Sequence, residues 1–254
     1  MRFLSLGSGS RGNATLLQSG ETLLLLDCGF TRKELQRRLS LVDLACDDID
    51  AILLTHEHSD HLRGAQALSR HHAIPVWATA GTLRGSEWAE SSELHQINAN
   101  SGDFRIGDIR ITPFTVPHDA AEPCQYVFAG SRKRVGILTD AGSVTSHIVS
   151  QLQQLDALLL EFNHDQQMLR NGPYPRSLQL RVGGDHGHLS NAQSIGLLGQ
   201  LDHQNWQHLV AAHISEKNND PQLVRSALDS FDTSMASRFS VLNQEKPSRW
   251  FDLG

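Results

Sequence analysis

The segment ILLTHEHSDHLRGA (residues 52–65) follows an apolar run with three histidines, a glutamate and an aspartate in the six positions from His56 to His61. A stretch this polar, directly behind a strand of buried character, is either a solvated loop or the ligand loop of a metal centre. In a sharp turn, residues two apart point the same way. His56 and His58 can therefore grip one ion, while Asp60 and His61 grip a second. The strand 51–54 would anchor the loop, and a helix starting near Leu62 would hold its far side. Imidazole and carboxylate suit zinc, manganese or iron in open catalytic sites. The chain has 14 histidines, and shuffling its composition produces HxHxDH in roughly three chains per thousand. Chance is thus not excluded by the motif alone, and two ions need more ligands. Other apolar strands end on suitable groups: Asp27 in LLLLDCG, His118 in ITPFTVPHDA, Asp140 in VGILTDAG and His213 in HLVAAHISEKNN. One such end is unremarkable; four of them beside HxHxDH make coincidence a poor explanation.

Short apolar runs recur along the whole chain and predict strands at 3–6, 14–18, 22–26, 52–55, 76–78, 109–114, 125–129, 135–138, 157–160 and 209–212. QSGET (18–22) reads as a hairpin turn. Helix starts lie between them. TRKE (31–34) reads as a capping box, Ser143 and Ser190 as N-caps, and Asp220 as a cap with Pro221 at the first helical position. The alternation predicts an α/β chain with two sheets, helices outside, and one domain spanning 1–254. GSGSRG (7–12) matches a dinucleotide fingerprint, but that motif must open a helix. The hairpin-like NATLLQSGETLLLLD follows instead, so the glycines are read as a tight turn, with Ser8, Ser10 and Asn13 facing a possible phosphate.

Composition narrows the class. With 254 residues, 39% of them hydrophobic, the chain supports a sizeable core. It contains no apolar run of the roughly 18 residues that a membrane span needs. MRFLSLGSGSRG carries an apolar run too short for a secretory signal, and the expected location is the cytoplasm. Three cysteines, Cys28, Cys46 and Cys124, fit neither a disulfide framework nor a zinc knuckle. Cys28 is expected to be a small buried residue, and His71, His72, His95, His203 and His208 surface residues. The net charge of −6 argues against a general nucleic-acid coat but leaves room for a local basic groove.

Asp27, THEHSDH, His118, Asp140 and His213, in that order, resemble the metallo-β-lactamase-fold hydrolases, over nearly the whole chain. The resemblance implies an αβ/βα four-layer sandwich carrying two divalent metal ions, zinc or manganese. It places His56, His58 and His118 on one ion, Asp60, His61 and His213 on the other, and Asp140 on both. Asp27 would orient the HxHxDH loop through hydrogen bonds from behind the ligands. Two ions about 3.5–4 Å apart lower the pKa of a shared water to about 7, giving a hydroxide that attacks a phosphodiester in line. Asp60 would help to orient it.

The leaving alkoxide needs a proton. GDHGHLSNAQ and EFNHD resemble segments of the ribonuclease Z branch in which a Glu supports a His proton donor. The resemblance implies His188 as general acid and Glu161 as its tuning carboxylate; the alternative for His188 is a helix cap. His186 is read as structural or exposed. Asn163, His164, Ser190, Asn191, Tyr174 and Arg176 are candidates for substrate contact or support behind the ligands. LGSGSRGNATLL and EFNHD…GPYPRSLQLRVGGDHGHLSN resemble the WalJ/YycJ-like branch, bacterial members viewed as DNA 5′-to-3′ exonucleases. DNA ends are therefore the expected partner. RKELQRR (32–38), SRKR (131–134), Arg170, Arg176 and Arg181 are candidate phosphate contacts, with a solvated helix face as the alternative for RKELQRR. NGPYPRS (171–177) reads as a rigid loop with Tyr174 able to stack on a base or ribose, with an ordinary surface loop as the alternative. Trp77 and Trp88 are read as packing residues.

Rival branches fit less well. A secreted β-lactamase needs an export signal and usually lacks His61. The stretch from Asp140 to His213 is too short for the inserted domain of ribonuclease J relatives, and no basic arm of the ribonuclease Z type is present. A cyclic-phosphate phosphodiesterase, with the same metal pair, is the enzymatic alternative; a metal-bearing scaffold without activity is the alternative from another class. Metal identity, DNA against RNA, strand polarity and oligomeric state stay open at this level.

Overall fold

Residues 23–26 are four consecutive leucines, all buried, in a strand whose two faces are both covered. A strand buried on both faces reads as an unbroken apolar run. Each fully buried leucine contributes about 1.5–3 kcal/mol. A computed structural model of the chain describes residues 1–88 and 92–254. These form two units: Met1–Thr115 with Ala120–Lys133 and Asn243–Gly254, and Val116–Asp119 with Arg134–Leu242.

In the first unit the strands are β1 (Arg2–Gly7), β2 (Ala14–Ser19), β3 (Thr22–Leu26), β4 (Ala51–Leu53), β5 (Val76–Thr79), β6 (Leu94–Ile97), β7 (Phe104–Ile106), β8 (Ile109–Thr115) and β9 (Cys124–Ala129). The helices are α1 (Arg32–Ser40), α2 (Ser59–Leu62), α3 (Ala65–His72) and α4 (Ala80–Arg84). β1, β2 and β3 are antiparallel neighbours, and β3, β4, β5 and β6 continue the sheet in parallel. The C-terminal Phe251–Asp252 pairs with β1 on the other edge. The β2–β3 hairpin turns at Gly20 with φ +57°, which a glycine takes without strain, so QSGET is the turn expected. One face of this sheet, with Leu4, Leu16, Leu25 and Ile52, packs under α1 and α3 through Leu35, Leu39 and Leu68. β7, β8 and β9 form an antiparallel meander.

In the second unit β10 (Arg134–Leu138), β11 (Ala157–Glu161), β12 (His208–Ala212) and β13 (Phe239–Val241) run parallel, each beside the next. The crossovers carry α5 (Ser146–Gln151), α6 (Gln166–Asn171), α7 (Arg176–Val182), α8 (Asn191–Leu198) and α9 (Pro221–Phe231). The register sets Leu138 beside Leu160, and Glu161 beside Ala212. Asp140, Glu161 and His213 therefore stand at neighbouring carboxyl ends of a parallel sheet, where open α/β sheets place their sites.

Several local expectations need correction. TRKE is an N-cap without the closed box: the Thr31 hydroxyl accepts from Glu34 N at 3.3 Å, but the Glu34 carboxylate turns to Arg37 and Arg38. Thr145, not Ser143, caps α5, and the Ser143 hydroxyl donates to Asp185 O. The helix expected near Leu62 starts at Ser59, so Asp60 and His61 are themselves helical. NGPYPRS is not wholly loop, since Arg176 opens α7. RKELQRR is no free basic stripe: Arg38 is buried and donates to Glu34, Leu6 O and Gln244 O. Ser190 and Asp220 do cap α8 and α9, with Pro221 at the start of α9.

Candidate metal centre

In the first unit, β4 delivers Thr55 and His56 fully buried at its end. The Asp27 carboxylate organises them. It accepts from Thr55 N at 2.9 Å, from the Thr55 hydroxyl at 3.0 Å, and from His61 Nδ1 at 2.7 Å. Asp27 itself follows β3 with φ +59°, a left-handed turn that aims its side chain back at the loop. The Thr55 hydroxyl also faces His56 Nδ1 at 2.9 Å. Its proton goes to Asp27, so His56 Nδ1–H donates to Thr55. Both imidazoles therefore carry the proton on Nδ1 and the lone pair on Nε2, the arrangement of metal-ligating histidines backed by a carboxylate. Asn13 supports the same loop: Asn13 N donates to Asp60 O at 2.8 Å, and Asn13 Nδ2 lies 3.1 Å from His61 Nε2. His58 is the residue before α2, and its ring centroid lies 4.6 Å from that of His56.

The HxHxDH loop is also clamped by backbone. Cys28 N donates to His61 O at 2.6 Å, and Gly64 N to Cys28 O at 2.8 Å. A Cβ on Gly29 would lie 1.7 Å from Asp60 O. Gly29→Ala is expected to cost about 3 kcal/mol or more, the upper part of the overpacking range. That corresponds to a fall in Tm of roughly 6–12 °C, read by calorimetry. Asp27→Asn keeps the shape but weakens the bonds to Thr55 and His61. It is expected to lower metal affinity by about 10–100-fold, measured by competition with a chromogenic chelator. Burial pushes the Cys28 thiol far above its ordinary value, which makes it an inert core residue beside Asp27.

In the second unit His118, Asp140, Glu161 and His213 are buried and His188 is partly exposed. Glu161 is the hub. Its Oε1 accepts from His188 Nδ1 at 2.8 Å and from His213 Nδ1 at 3.0 Å. Its Oε2 accepts from Leu189 N at 3.0 Å and Ala141 N at 3.2 Å. Burial alone would raise the Glu161 pKa, but His188 and the bonds from His188 and His213 outweigh it and hold the carboxyl below its ordinary range. Burial works against the charged form of His188 too. The carboxylates of Glu161 and Asp140 prevail, lifting its pKa above that of free histidine. Asp140 Oδ1 lies 3.0 Å from His213 Nδ1 and 3.2 Å from His188 Nδ1. One polar atom each from Asp140, Glu161, His188 and His213 falls within 4.8 Å of the others. Asp140 and His213 again have positive φ, +50° and +52°. Such backbone outliers concentrate at functional sites.

His118 donates from Nδ1 to Gly187 O at 3.0 Å, and burial lowers its pKa. A neutral imidazole is the form a metal binds. In each unit, then, two buried histidines (His56 and His61 in the first, His118 and His213 in the second) use Nδ1 for protein contacts and present Nε2. Each unit also has an aspartate with hard oxygens, Asp60 in the first and Asp140 in the second, and donors of these types suit divalent zinc or manganese.

The remaining candidates fall into two groups. Asn163, Ser190 and Asn191 are buried and used internally. Asn163 Nδ2 donates to His213 O, Ser190 caps α8, and Asn191 exchanges amide hydrogen bonds with Asn219 at 2.9 Å. They hold the backbone that carries His188 and His213. His164 is buried, while Tyr174 is half-buried with the Lys217 ammonium 5.7 Å from its ring centroid. Arg176 is exposed; Arg181 is tied to Asp119 at 2.5 Å. His186 is exposed, and His188 is not the cap of α8. His71, His72, His95, His203 and His208 are exposed or half-buried. Sequence reasoning missed Thr55 and Asn13 as supports, since neither residue type at a strand end signals a contact with a histidine far along the chain. It also missed that Glu161 holds His213 as well as His188.

Comparisons with known proteins place the chain in a family. Residues 22–214 match the β-lactamase superfamily domain. The chain is 33% identical over 231 residues to exodeoxyribonuclease YycJ of Bacillus anthracis, covering 90% of this chain and 88% of that one. It is 32% identical over 233 residues to exodeoxyribonuclease WalJ of Streptococcus pneumoniae, covering 89% and 86%. The solved structure of zinc-bound PqqB from Methylobacterium extorquens superposes over 100% of both chains with a TM-score of 0.76 at 19% identity, a likeness of fold. The chain belongs to the β-lactamase superfamily, in its YycJ/WalJ-like branch, and is a metal-dependent hydrolase of metallo-β-lactamase fold.

Proposed function

We propose that this protein is a di-metal phosphodiesterase that degrades DNA from its ends, a nuclease of the 5′-to-3′ exonuclease type in which the whole chain serves as one hydrolase domain. The observation that carries the reading is the buried Glu161 holding His188 by its Nδ1, which leaves Nε2 to meet a leaving oxygen. Hydrolysis of an alkyl phosphodiester needs such a proton donor, and general acids of this kind contribute about 10²–10⁴-fold. Identity to relatives named as exodeoxyribonucleases, over most of both chains, supports the choice of substrate.

In this reading His56, His58 and His118 would hold one divalent ion, Asp60, His61 and His213 would hold the other, and Asp140 would serve both. When bound, the metal pair supplies an acidified water and positive charge for the attacked phosphate. Every other task falls to the chain. Asp27 and Thr55 fix the imidazoles of His56 and His61. Asp60 orients the nucleophile. His188 delivers its proton to the departing alkoxide, and Glu161 and Asp140 keep His188 protonated until then. Tyr174 and Arg176 meet the strand.

The test is hydrolysis of end-labelled single- and double-stranded DNA, RNA and a cyclic phosphate ester, with zinc and with manganese. Stepwise release of mononucleotides from DNA ends is expected. Cleavage of the cyclic ester alone would replace the nuclease reading with that of a small-molecule phosphodiesterase. No hydrolysis of any of them, with metal bound, would point to a scaffold.

A further inference from the structure

Among the described residues of the second unit is a cavity of about 300 Å³ bounded by His164, Arg170, Arg176 and three glutamines, Gln166, Gln179 and Gln193. That volume is the lower end of the range for small-ligand sites, about 300–1,000 Å³. No acidic side chain lines it, although the whole chain carries a net charge of −6.

His164 is 2% exposed, and its Nδ1 makes no hydrogen bond among the described residues. A buried polar atom left unmet carries a desolvation cost. Burial also draws the His164 pKa down to about 4, so the ring is neutral and can offer one N–H. The glutamines, by contrast, are committed. Gln193 caps with Ser190 and donates to Gly142 O. Gln179 donates to Gly172 O and Tyr174 O, and Gln166 donates to Ser190 Oγ. Few amide groups remain to read a base edge. What the cavity still offers is cationic. Arg170 makes no ion pair or hydrogen bond among the described residues, and Arg176 makes a single long bond of 3.4 Å to Gln179. Two planar guanidinium groups without a carboxylate match the oxygens of a phosphate. The wall beside them is backbone: a Cβ on Gly184 would lie 2.8 Å from Leu180 O, so a side chain there would not fit without movement.

We propose that this cavity is an anion subsite that takes a phosphate group of the bound strand, held by Arg170 and Arg176 beside the buried His164 ring. Its position favours such a use. His164 follows Glu161 at the end of β11, and its carbonyl accepts from Asn191 N at 2.9 Å, next to the segment carrying His188. The anion site rests on the cavity; its assignment to a strand phosphate rests on the nuclease reading above.

The test compares the full-length holoenzyme with its Arg170→Ala/Arg176→Ala variant. Inorganic phosphate is titrated by calorimetry. One class of phosphate site in the wild type is expected to vanish or weaken at least about tenfold in the variant, and the Arg170→Lys/Arg176→Lys protein is expected to recover part of it. Identical isotherms for wild type and double alanine would overturn the subsite. On end-labelled DNA the alanine variant is expected to raise KM about tenfold while kcat changes by less than about threefold. The slope of log KM against log salt should become shallower by about one to two. Loss of phosphate binding with KM and salt slope unchanged would overturn the strand assignment and leave free phosphate or a small phosphorylated molecule as the ligand. Wild-type protein that cuts no nucleic acid, yet binds phosphate through the two arginines, would sink the nuclease reading and uphold the anion subsite.

Discussion

Alanine at both His58 and Asp60 is expected to abolish hydrolysis, with kcat/KM falling by at least about 10³-fold, because bound divalent metal would lower the pKa of its water to near neutrality. The two side chains belong to different proposed ion sites, so the double change strips a ligand from each. Neither is part of the apolar core: both are only partly buried, whereas His56 and His61 beside them are fully buried. The variant should therefore keep its fold and a Tm close to the metal-free wild type, read by circular dichroism. Metal content, by elemental analysis, should fall with the activity. Retained activity without metal would remove the ligand assignment, while retained cellular role with lost activity would support a scaffold.

Glu161→Gln is the second large effect. The carboxylate is fully buried and accepts from two imidazoles and two backbone amides. An amide of the same shape keeps one oxygen as acceptor, but its NH₂ faces two N–H donors. His188 loses the charge that keeps it protonated, and His213 loses the partner that fixes its tautomer. A fall in kcat of about 10²–10⁴-fold is expected from the lost acid, with metal affinity down by about 10–100-fold through His213. The two parts separate by assay. At saturating metal the affinity defect is masked and the kcat defect stays. A substrate with a good leaving group, such as a p-nitrophenyl phosphodiester, needs little protonation and should lose far less. Equal losses on both substrates would show that Glu161 acts through metal binding alone.

Much of this was readable in the chain itself. β3, β10, β11 and β12 were legible because they lie in the interior and carry unbroken apolar runs. The residues closing them, Asp27, Asp140 and His213, stood out as polar groups against that background. β6 and β7 were not legible: no residue of either is fully buried, so the apolar signal is diluted. α7 has no buried residue at all and lies among prolines and glycines, which is why its start at Arg176 read as loop. The site's supports were hidden for another reason. Thr55 and Asn13 matter through contacts with residues many positions away, and a lone Thr or Asn carries no mark of that. The positive φ of Asp27, Asp140 and His213 is likewise a tertiary property, imposed by what each side chain must reach.

The most direct measurement is a metal titration of chelator-stripped protein, following bound metal per chain together with release of nucleotides from a labelled DNA end. The account predicts negligible activity in the stripped protein, recovery with zinc or manganese, and full rate only as occupancy reaches about two ions per chain. Full activity in the stripped protein, or saturation with no ion retained by the wild type and none lost on changing His58 and Asp60, would contradict it.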